Sequence, residues 1–281
     1  MLVATNHGCP ASGANCVGEP IVAFVHSISG IGHMTTDDFL YDSKGNEWTP
    51  SLKSKAAAWF THFFTATGAV WGLMSIIAIT NNSWKTAFVW MALAVFVDSF
   101  DGLLARRARV KDVLPNFDGA LLDNMIDFLN YVVVPAFFLY EADILPMGGK
   151  MLGAAMILIA SSYQFCQADA KTDDHFFKGF PSYWNIMVFY LFMLELNPWN
   201  SLAITAILSI LVFVPIKFVY PTRTELHQRL TMTLGMVWGV LGLIVLITYP
   251  NHNPLYLWVS LLYAVYYVGL SLMITFQTRK K

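Results

Sequence analysis

The chain has 281 residues, 56% of them hydrophobic and 15% aromatic, with a net charge of −1 and only 12% Asp, Glu, Lys and Arg. An ordinary soluble domain carries about 25% charged residues, and a bilayer core asks for apolar runs of about 20 residues. Such runs recur here, the mean hydropathy is +0.54, and no basic tract stands outside short loops, so a polytopic membrane protein fits and nucleic-acid binding does not.

Residues 1–33 contain no Lys or Arg, so the basic opening of a secretory leader is missing. Residues 20–32 (PIVAFVHSISGIG) are too short to span a bilayer, and Met34 opens a more ordinary start. Residues 1–33 are expected to be a disordered tail or a stretch outside the native protein. The expected organisation is a tail and juxtamembrane segment over 1–55, a transmembrane domain over 56–276 and a basic tail over 277–281.

The predicted fold is all-α, a polytopic bundle of about eight transmembrane helices near 56–80, 86–105, 119–140, 150–168, 183–196, 199–219, 231–248 and 254–276. The fifth segment, YWNIMVFYLFMLEL, is short, and either tilts or joins the sixth through Asn197 and Pro198. Gly68, Gly72, Gly239 and Gly242 read as sites of close helix contact. The three cysteines (Cys9, Cys16, Cys166) have no metal spacing, and Cys166 reads as a small buried hydrophobe.

Loop charge gives the orientation. With this helix layout, Lys85 and Lys150 are the only basic residues on one side, and the other 15 of the 17 lie on the opposite one. The positive-inside rule places that richer side, with both termini, in the cytoplasm.

The stretch from Asp98 to Asp127 (DSFDGLLARRARVKDVLPNFDGALLDNMID) carries the chemistry. At roughly 100° per residue, Asp98 and Asp101 share one helix face, and Asp123 and Asp127 share another. Two such helices side by side gather four carboxylates near Arg106. That much negative charge needs a cation between the groups. Magnesium and manganese prefer oxygen ligands and keep positions open for phosphate oxygens, and two such ions can stabilise both ends of a phosphoryl displacement. The planar fork of Arg106 suits a diphosphate. Gly102 and Gly119 let backbone approach a bulky ligand, or else let helices pack closely. Asp118 is a candidate N-cap of the third helix.

These residues, Asp98-x-x-Asp101-Gly102-x-x-Ala105-Arg106 and then Gly119-x-x-x-Asp123-x-x-x-Asp127, resemble the signature of the CDP-alcohol phosphotransferases. The resemblance covers about a tenth of the chain and eight fixed positions. It implies an integral membrane enzyme that moves a substituted phosphoryl group from a CDP-linked donor to an alcohol and releases CMP. It implies Asp98, Asp101 and Asp123 as metal ligands, and Asp127 near the metals as general base. It also implies Gly102, Ala105, Arg106 and Gly119 lining the CDP site, with Thr65 as a polar nucleotide contact, and a homodimer. The segment between Arg106 and Gly119, residues 107–118, is longer than in the commonest form of the motif. That departure is similar to the bacterial branch that makes phosphatidylcholine. For that branch the substrates are CDP-diacylglycerol and choline, the ions Mn2+ or Mg2+ (two per site), and the location the bacterial inner membrane.

Choline is a quaternary ammonium without N–H donors, best held by aromatic faces and a nearby carboxylate. The loop around FKGFPSYWN (Phe177–Asn185) supplies such faces, and Tyr183 and Trp184 are the expected cage members. Arg223 reads as a surface anchor or a lipid-phosphate contact. Two other readings compete. Glycerol phosphate as acceptor would need several cationic groups, for which only Arg223 is an obvious candidate, and serine would need a partner for its carboxylate. A cation-coupled transporter would place its carboxylates at midplane, with an inverted repeat; neither is apparent.

Overall fold

A computed structural model describes residues 49–170, 172, 176–221, 224 and 227–279. Residues 1–33 and Arg223 lie outside the described residues. The helices are α1 (Leu52–Thr80), α2 (Trp84–Arg107), α3 (Val110–Val113), α4 (Gly119–Phe128), α5 (Val134–Glu141), α6 (Lys150–Cys166), α7 (Trp184–Met193), α8 (Pro198–Phe213), α9 (Gln228–Thr248) and α10 (Pro254–Arg279). A two-stranded antiparallel sheet, β1 (Phe176–Lys178) and β2 (Lys217–Val219), pairs Phe177 with Phe218.

Among the described residues five segments are long and apolar enough to cross a membrane: α1, α2, α4 continued through α5 (Gly119–Glu141), α9 and α10. At 1.5 Å per residue, the 29 residues of α1 reach roughly 43 Å, more than a hydrocarbon core of about 30 Å. The other three expected spans are shorter than predicted. The 10 residues of α7 reach only about 15 Å. The expected helix 199–219 stops at Phe213, because Pro215 lacks an N–H and pushes Val214 into extended backbone. The chain beyond it becomes β2. The sheet was therefore missed, while the helical membrane class holds.

Polarity is distributed as in a protein dissolved in lipid. Phe63, Ile159 and Val265 are each about 70% exposed, whereas Ser75, Ser161, Ser201 and Thr205 are fully buried. With lipid outside, apolar faces can point outward, and small hydroxyl residues allow helices to meet closely. The interior is built around Phe138, Leu139, Ile157, Trp184 and Val188. Phe88, Phe138 and Phe192 pack ring on ring with centroids 4.7–5.6 Å apart.

Close packing of α1 against α4 sets the site. A Cβ on Gly68 would lie 2.5 Å from Ile126 Cγ2, and one on Gly72 would lie 2.8 Å from Asn130 Oδ1. Asn130 Nδ2 donates to Gly68 O at 3.0 Å and to Ile126 O at 3.1 Å. By contrast, a Cβ on Gly239 or Gly242 would meet nothing within 4 Å among the described residues, so the expectation of close contact fails there.

Between α4 and α5 the helix widens into a π-turn over Leu129–Val133. Pro135 is the cause, since it has no N–H to give the Tyr131 carbonyl four residues back, and its ring crowds that carbonyl. The hydroxyl of Tyr131 is thereby carried on an irregular turn directly after Asp127.

The sheet is tied to the bundle on both sides. Gln164 Nε2 donates to Lys178 O at 3.0 Å, and the backbone N–H groups of Lys217 and Val219 donate to Thr275 Oγ1 and Ser271 Oγ on α10 at 2.8 and 3.2 Å. Gly179 has φ +82°, and a Cβ there would collide with the Val212 carbonyl oxygen, so this turn requires glycine. Lys178 Nζ of β1 pairs with Asp169 Oδ2 of the preceding loop at 2.7 Å, which holds the Asp169 carboxyl below its usual range. Cys166, expected to be buried, ends α6 on an exposed position.

Candidate active site

The two acidic pairs sit on α2 and α4. Asp98, Asp123 and Asp127 each offer a carboxylate oxygen, and these atoms lie within 4.8 Å of one another. All three are half-buried. Asp101, one turn beyond Asp98, is 6% exposed and acts electrostatically on Asp98 and Asp123 from the side. The structure thus brings three of the four motif carboxylates to one point, with the fourth beside them.

An all-oxygen set of this kind fits a hard divalent cation, whose charge would offset three neighbouring carboxylates. It does not fit a soft or thiolate-preferring metal. The helices that carry the set are anchored locally. The Asp118 side chain accepts from Leu121 N at 2.9 Å and caps α4, as its position in the sequence predicts. Tyr131, which sequence reading passed over, donates its hydroxyl to Asp98 Oδ2 at 2.7 Å. The signal was available in the spacing, because Tyr131 follows Asp127 by one helical turn.

Thr65 is buried on α1, and its hydroxyl is shared between Thr61 O, at 3.3 Å, and the Asp101 carboxylate. Arg106 is exposed near the end of α2, and Ala105 and Gly102 are half-buried on the same stretch. Among the described residues, a Cβ on Gly102 would meet only the Arg106 guanidinium, at 3.4 Å. Gly119 differs. A Cβ there would lie 2.5 Å from His62 Cε1, and the His62 ring in turn packs 4.4 Å from Phe117. His62 is thus the reason that position 119 has no side chain.

The expected aromatic pair separates. Tyr183 is half-buried, 6.5 Å from Tyr267 and 6.4 Å from Phe177 between ring centroids, and interacts electrostatically with Asp98. Trp184 is fully buried, its indole N–H donating to Ser161 Oγ at 2.6 Å and its ring edge-on to Phe180 at 5.1 Å. It has no face to offer a ligand, so its place in a choline cage is withdrawn. As the first residue of α7 its side chain turns inward, which periodicity around an irregular loop could not reveal.

Comparison with known proteins gives the family. Residues 59–216 match the family described as CDP-alcohol phosphatidyltransferase. The chain is 43% identical over 233 residues to a phosphatidylcholine synthase of Legionella pneumophila, an alignment covering 80% of this chain and 90% of the relative. It is 36% identical over 219 residues to a phosphatidylcholine synthase of Pseudomonas aeruginosa (78% and 92% covered), and 42% identical over 212 residues to one of Legionella bozemanae (73% and 96% covered). The matched span contains both acidic pairs, Arg106 and both motif glycines, on helices that carry three of the carboxylates to one point. The chain belongs to the CDP-alcohol phosphatidyltransferase family.

Proposed function

We propose that the chain transfers the phosphatidyl group of CDP-diacylglycerol to choline, giving phosphatidylcholine and CMP. The observation that carries this reading is the meeting of Asp98, Asp123 and Asp127 within 4.8 Å, in a chain whose relatives are named phosphatidylcholine synthase. Asp98, Asp101, Asp123 and Asp127 would hold Mg2+ or Mn2+, two ions per site. Such ions, when bound, supply Lewis-acid stabilisation of charge on the phosphoryl and leaving oxygens.

The chain's own residues account for the rest. Gly102, Ala105 and Gly119 line the path of the CDP moiety, with Thr65 as a polar contact and the Arg106 fork on the diphosphate. Asp127 takes the proton of the choline hydroxyl as its oxygen attacks the phosphorus that bears the diacylglycerol. The bond from that phosphorus to the CMP oxygen breaks, and CMP leaves with the bonding pair. A positioned carboxylate of this kind contributes about 10²–10⁴-fold in rate. Tyr183 stands on the acceptor side.

The same reading places the enzyme in a bacterial inner membrane, as a homodimer with the site and both termini facing the cytoplasm. The bias of Lys and Arg in the loops supports that orientation. The test is CMP release by purified protein given CDP-diacylglycerol, Mn2+ and one alcohol at a time. Release with choline is the expected result. Release with serine or glycerol phosphate, but not with choline, would overturn the acceptor assignment.

A further inference from the structure

The motif accounts for the donor and for the base on the hydroxyl, but nothing in it selects one alcohol over another. Next to the carboxylates the structure places a group of tyrosines, two of which lie beyond the family-matched residues 59–216. Tyr131 donates to Asp98. Tyr183 precedes α7 and interacts with both Tyr131 and Asp98. On α10, Tyr263 and Tyr267 are four residues apart and share a face, with centroids 6.4 Å apart. The Tyr267 ring lies 6.5 Å from that of Tyr183.

The hydroxyls of Tyr131, Tyr183 and Tyr267 are tied back by hydrogen bonds, which fixes those rings. Tyr267 donates to Val219 O at 2.9 Å and shares a hydrogen bond with Tyr183. Tyr263 is held by the Trp238 ring at 5.7 Å and by Gly235, where a Cβ would come 3.1 Å from the Tyr263 hydroxyl. All four tyrosines remain half-buried, unlike the sealed Trp184. Among the described residues, the groups that act most strongly on Tyr131, Tyr183 and Tyr267 are carboxylates and other tyrosines. Such surroundings are rich in aromatic rings. They suit a quaternary ammonium, which has no N–H to donate and binds through aromatic faces.

We propose that Tyr131, Tyr183, Tyr263 and Tyr267 form a wall that receives the quaternary ammonium of the acceptor, so that α10 sets which alcohol is used. The assignment rests on the transfer reading above. Choline joins its nitrogen to its hydroxyl through a short two-carbon link, so the pocket for the ammonium must flank the base. Tyr131, one turn from Asp127, meets that requirement.

Two measurements on the full-length protein test the wall. The first compares choline with its neutral isostere 3,3-dimethylbutan-1-ol in CMP release with CDP-diacylglycerol and Mn2+. Wild type should prefer choline, and Tyr183→Leu or Tyr267→Leu should raise the choline KM about ten- to thirtyfold, the worth of one desolvated cation–π face. The KM for CDP-diacylglycerol should stay unchanged, and Tyr183→Phe, which keeps the ring, should retain the preference. The second is independent of turnover: tetramethylammonium chloride should raise the thermal midpoint of wild type above a sodium chloride control. If wild type does not discriminate choline from the isostere, or gains nothing from tetramethylammonium, the wall is wrong. If tetramethylammonium stabilises the protein but no alcohol yields CMP, the wall stands and the transfer reading falls.

Discussion

Replacing Gly119 by alanine tests the packing that shapes the nucleotide side of the site. The added methyl would lie 2.5 Å from His62 Cε1 and 3.1 Å from His62 Nδ1. His62 cannot readily give way: it is 5% exposed and hemmed by Phe117 at 4.4 Å and Trp59 at 6.1 Å between ring centroids. Overpacking of this kind costs about 1–3 kcal/mol, and each kcal/mol moves the melting midpoint of a chain of this size class by about 2–4 °C. Gly119→Ala should therefore melt earlier and lose CMP release. The assay is a double-mutant cycle in detergent or nanodiscs, with His62→Ala as the second change and thermal stability as the readout. In the His62→Ala background the alanine at position 119 should cost little stability, giving a coupling of about 1 kcal/mol or more. An equal penalty in both backgrounds would show that His62 is not what excludes a side chain from position 119.

Asp127→Asn should lower turnover by at least about a hundredfold while metal-dependent binding of CDP-diacylglycerol stays measurable by equilibrium binding; an active variant would remove Asp127 from the role of base. Chelation with EDTA should abolish CMP release, and Mn2+ or Mg2+ should restore it while Ca2+ serves poorly, as measured by titrating each ion back. Asn130→Ala deletes bonds of 3.0 and 3.1 Å to Gly68 O and Ile126 O, and should destabilise the protein by about 1–3 kcal/mol because buried carbonyls lose a donor. An unchanged melting midpoint would contradict that account of the α1–α4 contact.

The membrane class and helix positions were legible because length and hydrophobicity report directly on a bilayer. The acidic pairs were legible because i, i+3 and i, i+4 spacing determines a helix face. Less could be read where tertiary contact decides. Lys217–Val219 looked like the end of a helix until Pro215 and the anchors on Thr275 and Ser271 turned it into a strand. Trp184 and Tyr183 are neighbours in sequence with opposite fates, one sealed in the core and one facing Tyr267. Asp101 carries the same motif weight as Asp98, yet sits to one side of the trio and beside Thr65. The tyrosines of α10 are more than 130 residues from Asp127 in the chain, so no local pattern could join them to the site.

The most direct test of the central claim is a product balance. Purified protein is given methyl-labelled choline, CDP-diacylglycerol and Mn2+, and both labelled lipid and CMP are quantified. The account predicts labelled phosphatidylcholine and CMP in equal amounts, both dependent on CDP-diacylglycerol and on the divalent ion. Labelled lipid formed without CDP-diacylglycerol, or CMP released without labelled lipid, would contradict it.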